Sequence, residues 1–424
     1  MILALSRRLG QRYAFVVIGL IFLSLLAAGG VRSAPGVLLV PLTEAFGWDR
    51  GVISFSAATG IFLYGMVGPF AAALMQRFGI RRVLMGSLAL MAAATAASAL
   101  MTRPWHLFLT WGLCSGLGSG GVAMVLGAAV ANRWFAARRG LVMGILSAST
   151  ATGTLIFLPA LARIAEYGGW RPVVLTIAAA LTLLIPLVFW LLPEWPGDAG
   201  LVPFGSPPGQ NIRQAPRANP IAAAFRALRL GTVNRNFWLL FGTFFICGLT
   251  TNGLVGVHLI SFCADHGIAE VQAAGLLALM GLCDLIGTTG SGWLTDRFDP
   301  RKLLFVYYAV RGLSLLYLPY SDFSVSDLSI FAVLYGLDWI ATVPPTLRLV
   351  TEAFGEGQAT IMFGWIAAGH QIGAATAAWL GGVMRSDQGN YVQAFALAGM
   401  AGLLAAFMSL LIGYGASRSA PQAA

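Results

Sequence analysis

Six ionisable residues stand inside long apolar runs of this chain: Arg32, His258, Asp284, Arg311, Asp338 and His370. Charge is scarce around them. Of 424 residues, 58% are hydrophobic and 10% charged, where a soluble domain carries about 25% charge. Such a chain cannot cover a water-facing surface. Its apolar runs recur at the length of roughly 20 residues that crosses a bilayer as a helix, so the six are read as intramembrane groups. A charge at the bilayer centre costs about 2.5–3.5 kcal/mol on insertion scales and is retained where it faces a cavity or a partner.

The chemistry open to these residues is ligand binding and proton exchange. An arginine offers a planar fork that matches a carboxylate with two hydrogen bonds. Arg32 is therefore the candidate anion ligand, the alternative being a side chain that snorkels to the interface. An acid in this setting exchanges a proton as its surroundings fill and empty of water, and Asp284 is the candidate. Counted at about 1.5 Å per residue from the loop residues Asp296, Arg301 and Glu352, the groups Asp284, Arg311 and Asp338 lie at similar depth near the midplane. They are expected to form a charge network. Within it Arg311 is read as a structural counter-ion partnered by Asp338 or Asp284, and Asp338 as an internal brace. His370 is divided between a cavity ligand and a helix–helix hydrogen bond, and His258 is assigned a packing or interfacial role. The chain shows no nucleophile–base constellation, phosphate loop or metal-ligand cluster. The four cysteines, Cys114, Cys247, Cys263 and Cys283, lie singly in apolar surroundings. No catalytic residue, metal or cofactor is expected, and the chain is not read as an enzyme.

The elements that position these residues follow from an internal repeat, the first thing to look for in a long chain. An offset of 220 residues carries Arg77-Phe78 onto Arg297-Phe298 and Arg81-Arg82 onto Arg301-Lys302. The same offset pairs Gly36 with Gly256, Gly144 with Gly364, Gly153 with Gly373 and Gly169 with Gly389. It also pairs Arg32 with Asn252, Tyr64 with Asp284 and Thr150 with His370. Arg32 and Asn252 should then face one another across a central cavity, with the Tyr64 hydroxyl as a further donor. Twelve spans are predicted: about 13–41, 51–76, 82–102, 105–132, 139–164 and 171–192, then about 236–263, 268–295, 301–319, 327–351, 358–384 and 390–415. The halves are residues 1–192 and 236–424. The connection 193–235 holds seven of nineteen prolines and five arginines and is read as a partly disordered cytoplasmic linker. The pair Pro344-Pro345 is the expected kink of the tenth span. The opening run 13–31 is too long for the apolar part of a signal peptide and is kept as the first span.

The formal charge of +10 is not a nucleic-acid signal. With the N-terminus inside, cytoplasmic segments hold 18 basic residues and the opposite side 5: Arg50, Arg103, Arg163, Arg171 and Arg385. Basic residues favour the cytoplasmic loops, so both termini are expected there.

Six spans, a cytoplasmic linker and six related spans resemble the major facilitator superfamily. GWLTDRFDPRKLL, Gly292 to Leu304, resembles that family's signature between spans two and three, G-x-L-x-D-R-x-G-R-R. It keeps Gly292, Leu294, Asp296, Arg297, Arg301 and Lys302 and departs at Asp299, where the pattern has glycine. The first copy keeps Arg77 and Arg81 but has Ala72 for the first glycine and Gln76 for the acid. The resemblance implies a gate at these loops. Three further segments are similar to the bacterial monocarboxylate-transporter-like and oxalate/formate-antiporter-like branch or its uncharacterised bacterial relatives: GVRSAPGVLLVPLTEAFGWDRGVIS (Gly30 to Ser54), NRWFAARRGLVMGI (Asn132 to Ile145) and YGLDWIATVPPT (Tyr335 to Thr346). In that branch a first-helix base and a span-eight charge serve an organic anion and its proton, and Arg32 and Asp284 fall where those residues would. Monocarboxylate transporters often place an arginine four residues after the span-eight acid. This chain has Thr288 there.

Together these observations imply an all-α integral membrane protein, twelve helices in two pseudo-symmetric six-helix halves. The expected function is secondary active transport of a small organic anion of the monocarboxylate class, coupled to protons, by a monomer in the bacterial inner membrane. The rival is a proton-driven exporter of hydrophobic drugs. Expected substrate ligands are Arg32, Tyr64, Asn252, Asp284 and His370. Asp284, Arg311 and Asp338 form the charge network, and Arg77, Arg81, Gly292, Asp296, Arg297 and Arg301 the gate.

Overall fold

The apolar runs of the sequence become long helices in a computed structural model of the chain, which describes residues 2–137, 139–206 and 220–413. Among these residues twelve rods follow one another. They are α1 (Tyr13–Phe46), α2 (Arg50–Phe78), α3 (Ile80–Ser98), α4 (104–134), α5 (Arg139–Gly168) and α6 (Trp170–Leu191), then α7 (Arg235–Asp265), α8 (Glu270–Thr295), α9 (Pro300–Tyr320), α10 (Val325–Phe354), α11 (Glu356–Gln388) and α12 (Val392–Leu410). Nine of them meet a strict length and hydropathy criterion for crossing a membrane among the described residues. Linker residues 207–219, the terminus 414–424, and Arg138, Arg213, Arg217 and Arg418 of the charge count lie outside the described residues. So do the side chains of Ala72, Gln76 and Thr150.

Burial sorts the rods into layers. The most apolar windows of α1 and α7 are each 67% buried, while those of α3, α6, α9 and α12 are between 33% and 44% buried. The first pair is the most buried, and α6, α9 and α12 present Leu183, Leu313 and Phe407 outward, as lipid requires. The two groups of six meet where α2 packs along α11 and α5 along α8. Close approach rests on small residues, because burying apolar side chains gives little drive in lipid. A Cβ on Gly36 of α1 would stand 2.8 Å from Gly256 O of α7, so two glycines related by the repeat form the central crossing. A Cβ on Gly312 of α9 would meet Gly399 O of α12 at 2.7 Å.

Three rods carry interruptions that bear on function. In α4 and α7 the stretches Phe108–Cys114 and Leu249–Val255 are π-helical. Ser115 N bonds Thr110 O and Gly256 N bonds Thr251 O, each five residues back. Such turns are often found at functional sites. In α10 the helix stops at Asp338 and resumes at Val343. The kink expected at Pro344-Pro345 thus lies one turn earlier. The prolines occupy the start of the second segment, where a missing N–H costs least, and the break falls on the residues whose carbonyls they cannot serve.

The described part of the linker contains a helix, Pro220–Thr232. Its Phe225 ring lies 6.1 Å from Phe70 of α2 and 6.1 Å from Trp365 of α11, and Trp365 Nε1 donates to Ala224 O at 2.9 Å. The linker helix therefore bridges the two groups at the end of the molecule that carries Asp299.

Candidate functional site

A cavity of about 200 Å³ lies between the two groups of six. From α1 comes Arg32 and from α2 Tyr64; α7 supplies Asn252, so the repeat pair Arg32 and Asn252 lines one space. Trp339 of α10 and Gln371 of α11 close the far wall. The Arg32 guanidinium sits 4.9 Å from the centre of the Tyr64 ring. This cation–π stacking engages the ring face. Arg32 Nη1 is buried and has no hydrogen-bond partner among the described residues. A buried donor left unpaired costs about 1–3 kcal/mol, more for a charged group, so the atom is poised for an acceptor.

Asp284 and His370 are not among the residues that line this cavity. His370 packs on Phe244 with ring centres 5.0 Å apart, and its neighbour Gln371 reaches the cavity instead. Asp284 is 4% exposed and faces the break in α10. Its Oδ1 accepts from Ile340 N at 2.9 Å and from Thr288 Oγ1 at 2.8 Å. Thr288 thus fills, with a hydroxyl, the place where the resembled family often has an arginine.

Arg311 completes the same repair. It is fully buried, and its Nε donates to Asp338 Oδ2 at 2.6 Å. Its Nη2 donates to Asp338 O at 2.6 Å and Trp339 O at 3.3 Å, and its Nη1 to Cys247 Sγ at 3.0 Å. Ser291 Oγ of α8 donates to Ala341 O at 2.5 Å. An uninterrupted helix would satisfy these backbone groups itself. In lipid no water replaces the lost bonds, and neighbouring side chains must. The charges of α8 and α9 therefore hold open the broken turn beside Trp339, a wall residue of the cavity. His258 Nε2 donates to Ala378 O at 2.7 Å, which leaves Nδ1 to accept from Tyr391 Oη at 3.3 Å and accounts for its buried ring.

The loop residues of the two signature copies are held differently. Asp299, the departure from glycine, caps α9: its carboxylate accepts from Arg301 N at 2.9 Å and from Arg301 Nε and Nη2 at 3.0 and 2.8 Å. Bonding from Arg301 holds this carboxyl below the usual carboxylate range. Its repeat mate Gly79 has φ +93° and faces Glu194, whose carboxylate accepts from Ile80 N (2.7 Å) and Arg81 N (3.2 Å). The cap that α9 obtains from its own loop reaches α3 from beyond α6. Arg133 also pairs with Glu194, and Arg81 donates to Phe189 O. Arg77 lies over Phe78 at 5.4 Å, Arg297 over Trp293 at 4.0 Å, and Gly292 has open space around it. Asp296 makes no ion pair among the described residues.

At the opposite end is a cluster that nothing in the pattern of residues singled out. Asp265 at the end of α7 accepts two bonds from Arg50 of α2, both 3.0 Å, and two from Arg385 of α11, at 2.7 and 3.1 Å. Gly51 N also reaches Ser386 Oγ at 3.4 Å. The Arg50–Asp265 and Gly51–Ser386 bonds cross between the two groups of six, while Arg385 holds Asp265 from within the second group. Among the described residues Arg50–Asp265 is the one ion pair that does so.

A cavity lined from both six-helix groups, with an ion pair joining them at one end, fits a membrane transporter. The chain belongs to the Major Facilitator Superfamily, whose family model matches residues 20–378 and 264–423. Among curated proteins it is 27% identical over 386 residues to "Monocarboxylate transporter 13" of Bos taurus, covering 91% of this chain and 85% of that one. It is 26% identical over 388 residues to "Uncharacterized MFS-type transporter YcxA" of Bacillus subtilis (strain 168), covering 89% of each. Among solved structures the fold matches a bacterial homologue of the human lysosomal transporter Spinster, inward-facing and unoccupied, with TM-score 0.74, 15% identity and coverage of 94% and 97%. It also matches a D-xylose–proton symporter with TM-score 0.72, 15% identity and coverage of 94% and 97%.

Proposed function

We propose that the protein carries a small organic anion of the monocarboxylate class across the bacterial inner membrane by alternating access, coupled to protons. The observation that carries this reading is Arg32: a guanidinium in the cavity, its ring-facing side on Tyr64 and its buried Nη1 without a partner. Asn252 offers a further donor from the other half. The cavity of about 200 Å³ suits a small solute, where drug-sized ligands occupy about 300–1,000 Å³. Size and charge therefore favour the anion over the hydrophobic drug. Two halves rocking about a central site is the expected motion of a repeat-built transporter, with residues 193–235 as the cytoplasmic connection and both termini cytoplasmic.

Asp284 is the proposed proton carrier. It bonds the amide beside Trp339, so a proton on its carboxylate weakens a bond that shapes the cavity wall. Uptake of short radiolabelled carboxylates into proteoliposomes, with and without a pH gradient, tests the reading. Arg32→Ala should weaken anion binding by about 2–5 kcal/mol, with Arg32→Lys restoring part of it. Asp284→Asn should retain exchange of anion across the membrane and lose gradient-driven accumulation. Wild-type affinity in the alanine variant removes Arg32 from the site. Full accumulation by the asparagine variant moves the proton elsewhere.

A further inference from the structure

We propose that Trp111 and Ser115 of α4 form a second hydrogen-bonding subsite, for an acceptor oxygen of the solute other than the carboxylate held by Arg32; this rests on the anion reading of Arg32 given above. Three buried side-chain polar atoms that lack a partner among the described residues belong to residues lining the cavity: Arg32 Nη1, Trp111 Nε1 and Ser115 Oγ. Trp111 is 5% and Ser115 2% exposed. An indole N–H donates only, so Trp111 can be satisfied only by an acceptor. Buried polar groups are otherwise nearly always bonded.

The two side chains are also held in place. Residues 111 and 115 are close to one turn apart and share a side of α4. The helix is pressed on α2: a Cβ on Gly60 would stand 2.9 Å from Trp111 O, and one on Gly116 2.8 Å from Gly60 Cα. Trp111 also borders a small apolar pocket of about 20 Å³ beside Pro35 and Ala57. A cavity with a guanidinium and two neutral donors fits a small monocarboxylate with an oxygen acceptor close to its carboxylate. An unsubstituted acid of the same length would leave Trp111 Nε1 unpaired, and sites built to bond a polar group reject analogues that lack it.

The test is equilibrium binding of 2-oxobutanoate and butanoate to the purified full-length chain by calorimetry, in wild type, Trp111→Phe and Ser115→Ala. Trp111→Phe keeps the aromatic bulk and removes the donor. Wild type should bind 2-oxobutanoate roughly tenfold more tightly than butanoate. Each variant should lose most of that preference while its butanoate affinity stays within about twofold of wild type, a value that also reports intact folding. Equal affinities for the two acids in wild type, or a preference that survives both substitutions, overturns the subsite and leaves Arg32 as the anion ligand. If wild type binds neither acid, the anion reading and the subsite fall together.

Discussion

The residue that best separates structure from transport is Arg311. Its guanidinium neutralises Asp338 and also serves the carbonyls of Asp338 and Trp339. Breaking a fully buried pair leaves one charge uncompensated and costs about 3–5 kcal/mol. Asp338→Asn is expected to destabilise the protein by that order, measured by chemical unfolding in detergent. The double variant Arg311→Met with Asp338→Leu removes both charges yet leaves the two carbonyls without donors. It should recover part of the loss and remain below wild type. A double variant as stable as wild type would mean that capping the broken turn contributes nothing. The same logic revises Asp284, whose geometry is that of a helix-break cap. Its proposed proton work is exerted through that bond, at one remove from the solute.

At the scale of elements, the two signature loops show one physical requirement met in two ways. Every helix start leaves amide donors unserved. Helix α9 uses Asp299, a favoured capping residue followed by proline at the first turn. Helix α3 uses Glu194, 114 residues from Ile80 in sequence. A side chain at Gly79 would collide with that carboxylate, since its Cβ would stand 2.7 Å from Glu194 Oε2. Because Arg301 depresses the folded pKa of Asp299, its contribution is present above the unfolded carboxyl value of about 3.9. It is lost as pH falls through the lower folded value. The pair is about a third exposed, so screening limits it to about 1 kcal/mol or less. Asp299→Asn should lower the unfolding temperature slightly at pH 7 and leave it unchanged at a pH below the folded value, where both proteins carry a neutral side chain. An equal shift at both pH values would assign the effect to shape rather than charge.

Across the whole molecule, the closed end is set by Asp265, which bonds one arginine from each half. The halves also touch there at Gly36 and Gly256, where backbone meets backbone. At the other end the linker helix touches both groups, through Phe225 against Phe70 and Trp365. Asp265→Asn removes the charge that both arginines share and is expected to cost this state about 1–3 kcal/mol, a shift of roughly 5- to 150-fold in the balance of conformations. The readout is the labelling rate of a Ser33→Cys variant, in the cavity wall, by an impermeant thiol reagent applied from the Arg50 side, in a background without the four native cysteines. The rate should rise with Asp265→Asn. An unchanged rate would show that the glycine crossing and not the ion pair keeps this end shut.

The solvent, the helices and the repeat could be read from the order of residues alone. Apolar length and sparse charge permit only a membrane bundle, and a fixed offset of 220 residues makes two copies of one unit. That offset also placed Arg32 and Asn252 on one cavity, because pseudo-symmetry relates positions without any knowledge of packing. Tertiary structure decided what periodicity cannot encode: which face of each rod meets which neighbour. Asp284 and His370 sit at cavity depth, but their helices turn them toward a broken backbone and a ring. Trp111 and Ser115 look like ordinary members of a Gly-rich span until a π turn and the press of Gly60 aim them inward. Asp265 reads as a loop acid among few others, and only the folded chain brings Arg50 and Arg385, 335 positions apart, to its two oxygens. An intramembrane charge announces in sequence that it has a partner, since none is stable there alone. The partner's identity is a property of the assembled bundle.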